Sequence, residues 1–161
     1  MRYLSGPEER IARKYVDLAV TAALSSTCTR RRCGSVVVKD DVVIGTGYNS
    51  PPHDDEAQRR CSCPKESYDK KVTDKTCCVH AEQRAIMDAL RNNPDKVVGS
   101  RIYFMSIDED GKGLESGKPY CTICSKMALD VGIGEFMLLH DRGICIYDSG
   151  EYNTASFQYS D

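Results

Sequence analysis

The sequence lacks any apolar run long enough to cross a bilayer. Its longest, "VDLAVTAAL" after Lys14, is interrupted by Asp17 and Thr21 and falls far short of the roughly 20 residues a membrane helix needs. No membrane partner is expected. The opening "MRYLSGPEER" lacks the basic start and apolar stretch of a secretory signal, so a cytoplasmic location is expected. There is no low-complexity tract and no internal repeat, which argues against disorder and against a solenoid. A strong basic excess is missing as well: 22 Lys and Arg against 24 Asp and Glu give a formal charge of -2. Proteins that grip long polyanions carry the opposite balance. A small substrate is therefore favoured, and a nucleic-acid partner is not expected.

What is present fits one globular domain over residues 1–161, with 40% apolar and 29% charged residues. Nine cysteines are many for such a length. In a reducing compartment, clustered cysteines point to metal binding or catalysis, and the odd count argues against a complete disulfide framework.

Pro7, Glu8 and Glu9 open a helix over 7–25, with Ile11, Tyr15, Leu18 and Ala22 at helical spacing. "GSVVVKDDVVIGTGYN" (34–49) predicts a hairpin around Asp40 and Asp41. Residues 50–78 form a polar, Cys-rich excursion interrupted by prolines. A helix from His80 ends before Pro94, and "RIYFMSI" (101–107) is a strand. "CTICSKMALDV" is a helix stopped by Gly132, and "EFMLLH" (135–140) and "ICIY" (144–147) are further strands. This alternation suggests an α/β layered domain whose later strands can pair in parallel. The tail "SGEYNTASFQYSD" has no readable role.

The chemistry concentrates in "CCVHAEQRAI" (77–86) and "KPYCTIC" (118–124). Cys121 and Cys124 are three apart near a helix start, so both sulfurs can reach one point, and His80 can supply a third ligand. Three protein ligands leave the fourth tetrahedral position of a zinc ion open, as catalytic sites do. Two helix N-termini facing the metal would stabilise thiolates. Glu82, two residues after His80, can act as a proton carrier without ligating the metal. Alone, a C-x-x-C is often structural or redox-active, and an H-x-E on a helix is usually surface. Their occurrence together favours a hydrolytic zinc site.

The chain resembles the cytidine deaminase superfamily, and within it the deoxycytidylate (dCMP) deaminases. The resemblance is carried by "SSTCTRRRCGSVVVKDDVVIGTGYNSPP" (25–52), "HAEQRAIMDAL" (80–90) and "PYCTICSKMALDVGI" (119–133). It implies a three-layer α/β/α sandwich with a five-stranded mixed sheet. It also implies His80, Cys121 and Cys124 as ligands of a catalytic Zn²⁺, Glu82 as proton shuttle, and substrate contacts from Asn49 and the backbone of Ala81. The implied activity is hydrolytic deamination of a cytosine nucleotide, dCMP first, by a homo-oligomer. Another small nucleobase-type substrate, an RNA substrate, and a catalytically silent zinc module are the alternatives. The chain departs from the family pattern at Tyr120, between Pro119 and Cys121, and at Ser50, where the family has glycine.

Some relatives carry a second, structural zinc. The resemblance places Cys28 in that site, with Cys61 or Cys63, Cys77 or Cys78, and His53 or another cysteine of a pair completing it. Such a clip would hold down an excursion with little to bury. Cys33 and Cys145, in β-rich segments, read as core residues. Arg30, Arg31 and Arg32 read either as a solvated turn or as a phosphate cradle.

Overall fold

The computed structural model describes residues 1–160. In chain order the elements are β1 (Arg2–Tyr3), α1 (Gly6–Ala23), β2 (Arg32–Lys39), β3 (Val42–Tyr48), α2 (Ala81–Asn92), β4 (Arg101–Ile107), β5 (Gly113–Leu114), α3 (Thr122–Asp130), β6 (Glu135–His140), β7 (Gly143–Asp148) and α4 (Ser149–Phe157). The strands form one mixed sheet in the order β1-β7-β6-β4-β2-β3, with β5 paired to β4.

The β2–β3 hairpin turns at Asp40 and Asp41, both left-handed at φ 48° and 59°. Two such residues make the turn whose twist matches the flanking strands, and Asp tolerates that conformation better than most. β4 lies antiparallel to β2 and parallel to β6, which turns directly into antiparallel β7. The expected parallel pairing of later strands is thus confined to β4 and β6. The sheet has seven strands rather than the expected five. The additional two, β1 and β5, are two residues each, too short to leave a periodic signal.

Alternation along the strands sorts the core into two faces. Val36, Val38, Tyr103, Met105 and Met137 pack against Tyr15, Val16 and Ala19 of α1. Val37, Ile102, Phe104, Phe136 and Leu138 face α2, with Ala128 of α3 and Tyr152 of α4. The result is three layers: α1, the sheet, and α2 with α3 and α4. Cys33 and Cys145 are buried, as their β-rich context predicts. Helix α4 has no counterpart in the sequence reading. Asp148 caps it by accepting a hydrogen bond from the Gly150 backbone N–H at 2.8 Å, and Tyr152 stacks on Phe136 with ring centroids 3.8 Å apart.

Two glycines of β3 fix the position of α2. A Cβ on Gly45 would collide with the carbonyl oxygen of Ala85, and one on Gly47 with the carbonyl oxygen of Ala81. With only hydrogens there, the helix backbone lies directly on the strand, and the side chain of Asn93 donates to the Ile44 carbonyl at 2.9 Å to hold the helix end. The Arg101–Glu135 pair between β4 and β6 is partly exposed, at 41% and 32%, so solvent leaves it little weight beside this packing.

Gly47→Ala should destabilise the protein by about 1–3 kcal/mol in urea denaturation, because backbone rather than a flexible side chain must yield. Thr46→Ala, at an exposed position of the same strand, should stay within about 0.5 kcal/mol. Equal stability of the two variants would show that α2 does not depend on this contact.

Candidate metal centre and its cavity

Two helix starts converge on one point. His80 is the residue before α2, and its backbone N–H donates to Gln83 Oε1 at 3.0 Å. Cys121 is the N-cap of α3, and its sulfur accepts from the backbone N–H of Cys124 at 3.5 Å. The Nδ1 atom of His80 lies 3.3 Å from the sulfurs of both Cys121 and Cys124. All three donor atoms fall within 4.8 Å of one another. A tetrahedral zinc with ordinary metal–nitrogen and metal–sulfur lengths separates such atoms by about 3.5 Å, so the donor set fits the ion in type and in spacing.

The electrostatics favour thiolate formation, the form that ligates metals. The Cys121 thiol is pulled down to about 4 by hydrogen bonds from the Cys124 thiol and from His80, against the opposing effect of burial. His80 is pushed up to about 9, chiefly by its hydrogen bond to Cys121. Glu82 is 5% exposed, and burial, with the Cys121 charge beside it, pushes its carboxyl up to about 7. Helix α3 is held from behind, where Ser125 Oγ meets Asn153 Oδ1 of α4 at 2.8 Å.

His80, Cys121 and Glu82 open onto a cavity of ≈ 270 Å³, also lined by Asn49, Ala81 and Phe104. The structure thus brings together His80, Glu82, Cys121, Asn49 and Ala81 at one cavity, with Cys124 buried behind it. Asn49 is heavily engaged by the protein itself. Its Oδ1 accepts from the Cys33 N–H at 2.7 Å and from Ser26 Oγ at 2.6 Å, while Nδ2 donates to the Arg31 carbonyl at 2.9 Å. It therefore ties the 26–33 segment to the end of β3 and keeps one amide hydrogen for other use.

The excursion is pinned at its base. Val79 N–H donates to the Ser50 carbonyl at 2.9 Å. Asp54 accepts from Ser50 Oγ, from Tyr48 OH at 3.0 Å and from Arg84 of α2 at 3.3 Å. Between these ends it contains only single-turn helices, at Pro52–Asp54, Glu56–Gln58 and Lys65–Ser67. It folds so that Cys61, Cys77 and Cys78 form a second group of potential ligands within 4.8 Å, and Cys28 lines the same cavity outside that group. The Cys77–Cys78 sulfurs are 3.7 Å apart and the Cys61–Cys77 sulfurs 2.8 Å. Tetrahedral thiolates on zinc sit about 3.8 Å apart, so the second pair would open by about 1 Å to hold the ion. Cys63 falls outside this group. His53 is exposed and lines a separate groove beside Arg84 and Met87.

Several lining residues escaped the sequence reading. Phe104 sits mid-strand in "RIYFMSI" and is indistinguishable there from a core residue. Tyr120 is visible only as a departure before Cys121, yet it forms part of the cavity wall. Arg60, Lys65 and Lys75 also reach the cavity, from a stretch whose lack of periodicity gives no direction to any side chain. Arg30 and Arg31 line it as well, whereas Arg32 begins β2.

Comparison with known proteins agrees with this geometry. The sequence profile of the cytidine and deoxycytidylate deaminase zinc-binding region matches residues 9–140. A deoxycytidylate deaminase of Mycobacterium phage D29 is 33% identical over 99 residues, covering 55% of this chain and 72% of that protein. The Schizosaccharomyces pombe deoxycytidylate deaminase is 36% identical over 80 residues, 48% of this chain, and the match spans only 25% of that relative's length. Among solved structures, the dCMP deaminase of cyanophage S-TIM5 in complex with dCMP and dUMP superposes with a TM-score of 0.58 at 22% identity, covering 83% of this chain and 82% of that one. The cytidine deaminase of Burkholderia pseudomallei gives 0.57 at 17% identity, with coverages of 87% and 94%. These two structural likenesses concern the fold. With the profile extending over most of the sequence, the chain belongs to the cytidine and deoxycytidylate deaminase zinc-binding family.

Proposed function

We propose that the chain, acting as a single domain, catalyses hydrolytic deamination of a cytosine nucleotide, dCMP to dUMP and ammonia in the first instance. The observation that carries this reading is Glu82, a buried carboxylate in the same cavity as His80 and Cys121. A purely structural metal site has no use for such a group. When bound by His80, Cys121 and Cys124, a zinc ion supplies Lewis-acid activation of the hydrolytic water.

The remaining steps fall to the chain's own residues. Glu82 takes a proton from the attacking water and delivers it to N3 of the cytosine ring. It carries the second proton to the amino group, so the new C4–O bond forms, the C4–N bond breaks and ammonia leaves. No oxidant or reductant is consumed. Phe104 offers an aromatic wall for the base, the backbone of Ala81 lines the same pocket, and the free amide hydrogen of Asn49 is available to the nucleotide. Arg30 and Arg31 in the cavity wall favour a phosphorylated substrate over a free nucleoside. The named relatives, deoxycytidylate deaminases, support the same substrate.

The second thiol group is assigned to a structural Zn²⁺ held by Cys28, Cys61, Cys77 and Cys78. Its support is the convergence of the Cys61, Cys77 and Cys78 sulfurs on a polar segment that buries little apolar side chain, with Cys28 lining the same cavity.

Glu82→Gln should preserve fold and metal content while lowering ammonia release from dCMP by roughly 100-fold or more; turnover within a few-fold of the parent protein would remove Glu82 from the mechanism. Across dCMP, CMP, deoxycytidine, cytidine and guanine, release should be fastest with dCMP. A profile led by deoxycytidine would overturn the nucleotide assignment while leaving the hydrolytic site in place.

Metal analysis should find two zinc ions per chain, with Cys121→Ser and Cys77→Ser each losing a different one. A single zinc, abolished by Cys121→Ser alone, would dismiss the second site.

A further inference from the structure

Two features that the sequence leaves without a role meet at the rim of the cavity. One is Tyr120, which stands between Pro119 and the donor Cys121. The other is the segment after α4, which carries Tyr159. Their rings lie edge to face, with centroids 6.0 Å apart and planes inclined at 62°. Beside them, Lys118 Nζ donates to the Ser160 carbonyl at 3.3 Å. Residues 159 and 160 therefore engage the chain on both sides of Pro119.

The backbone around Tyr120 has little freedom, because Pro119 is buried and Cys121 is buried as the N-cap of α3. The Tyr120 side chain nevertheless lines the cavity while 49% exposed, which puts it at the mouth rather than in the core. Rotation about its own side-chain bonds is the freedom that remains, and the Tyr159 ring limits it. The brace is itself anchored. Helix α4 is held to α3 by the Ser125–Asn153 hydrogen bond at 2.8 Å and to β6 by the stacking of Tyr152 on Phe136. The Gln158 N–H then closes the last turn on the Ala155 and Thr154 carbonyls at 3.1 and 3.3 Å, so Tyr159 leaves the helix from a fixed point.

A nucleobase presents a π-face that aromatic rings bind whatever its hydrogen-bonding edge. Phe104, from β4, and Tyr120 bring the phenyl and phenol rings to this cavity. Phe104 is packed into the core, whereas Tyr120 keeps surface that a ligand can cover. A ring already held in place loses less freedom on binding than a loose one. We infer that Tyr120 contacts the base of the bound nucleotide at the cavity mouth, and that Tyr159 is the positioning residue that holds the Tyr120 ring there. The contact is made by the ring and not by its hydroxyl. This inference rests on the reading of the cavity as a cytosine nucleotide site, and its test separates the two.

The test is calorimetric titration of dCMP into zinc-loaded Glu82→Gln protein, which should bind without turnover, and into further variants on that background. Tyr120→Ala should weaken dCMP binding roughly ten-fold and Tyr120→Phe less than roughly two-fold. Tyr159→Ala should weaken it roughly three-fold, and Tyr159→Phe should restore it, since the edge-to-face contact needs only the ring. Combined with Tyr120→Ala, Tyr159→Ala should add nothing, because the brace then has no ring to hold. Phe157→Ala, at an exposed ring ending α4, should leave affinity within roughly two-fold. Zinc content and thermal unfolding should match the parent throughout. Tyr159 lies outside the core and the donor set, so its two variants carry the test even if Tyr120→Ala loses metal.

Affinity that is indifferent to both tyrosines would overturn the inference, as would equal losses in Tyr159→Ala and Phe157→Ala. A loss in Tyr120→Phe as large as in Tyr120→Ala would assign the contact to the hydroxyl and overturn the ring's part. Tyr159→Ala that lowers the oligomeric state in sedimentation while dCMP affinity stays unchanged would give these rings to a contact between copies of the chain, and the inference would fall. Ammonia release by the protein with Glu82 intact is read separately. If no cytosine nucleotide yields ammonia while dCMP affinity still depends on Tyr120 and Tyr159, the deaminase reading fails and the aromatic contact stands.

Discussion

The close seating of α2 on β3 is the constraint from which the site follows. Because Gly45 and Gly47 carry no side chain, the helix backbone rests on the strand at the level of Ala81 and Ala85. That contact fixes the first turn of α2 against the sheet, and the first turn carries His80, Ala81 and Glu82. A helix held a side chain's thickness farther out would move the imidazole away from the Cys121 and Cys124 sulfurs, whose position is set independently by α3 and by α4 behind it. A metal-type donor set needs sub-ångström agreement between its elements, and here two rigid helix starts supply it. The same seating buries Glu82 beside the donors, so its desolvation is a consequence of packing rather than a separate device.

A second constraint governs the mouth of the cavity. The excursion between Ser50 and Val79 has almost no fully buried side chain beyond Ser50 and Pro51, and apolar burial alone would not offset the entropy of ordering it. It is held at its base by Asp54, Arg84 and the Ser50–Val79 pairing, and farther out by hydrogen bonds from Arg59 to Thr27 and from Arg30 to the Cys61 carbonyl, beside the clustered thiols of Cys61, Cys77 and Cys78. Both groups of tethers attach it to elements that also shape the site: Arg84 lies on α2, and Cys28 lies in the segment that Asn49 ties to β3.

Legibility in the sequence follows from how local each signal is. His80 with Glu82, and Cys121 with Cys124, are short-range patterns at helix starts, where spacing along the chain translates directly into position. The Asp40–Asp41 hairpin and the long strands were readable for the same reason, through turn chemistry and alternation. The two-residue strands β1 and β5 exist only because a neighbouring edge is available to pair with. Helix α4 lacks a clear apolar face, and its stability comes from the Asp148 cap and the Tyr152–Phe136 stack, which is a tertiary contact. Asn49 was legible as a site residue only through resemblance. Its part in bracing the 26–33 segment, by contrast, depends on three partners that sequence does not bring together. Phe104 and the excursion's cations depend on where a strand and an aperiodic loop meet, which no local pattern encodes.

Cys61 follows Arg60 directly, and Lys75 stands two residues before Cys77. Whatever holds the thiol group together therefore also holds these cations at the cavity. His80, Glu82, Cys121 and Cys124 are positioned by α2 and α3, both anchored on the sheet, so the donor set and the cavity's cations are held by different parts of the fold. Loosening the thiol group would widen the positions of Arg60 and Lys75 while leaving His80, Glu82, Cys121 and Cys124 in register. That segment is ordered by its tethers rather than by the hydrophobic core, so the cations it carries are held less rigidly than the donor set on α2 and α3.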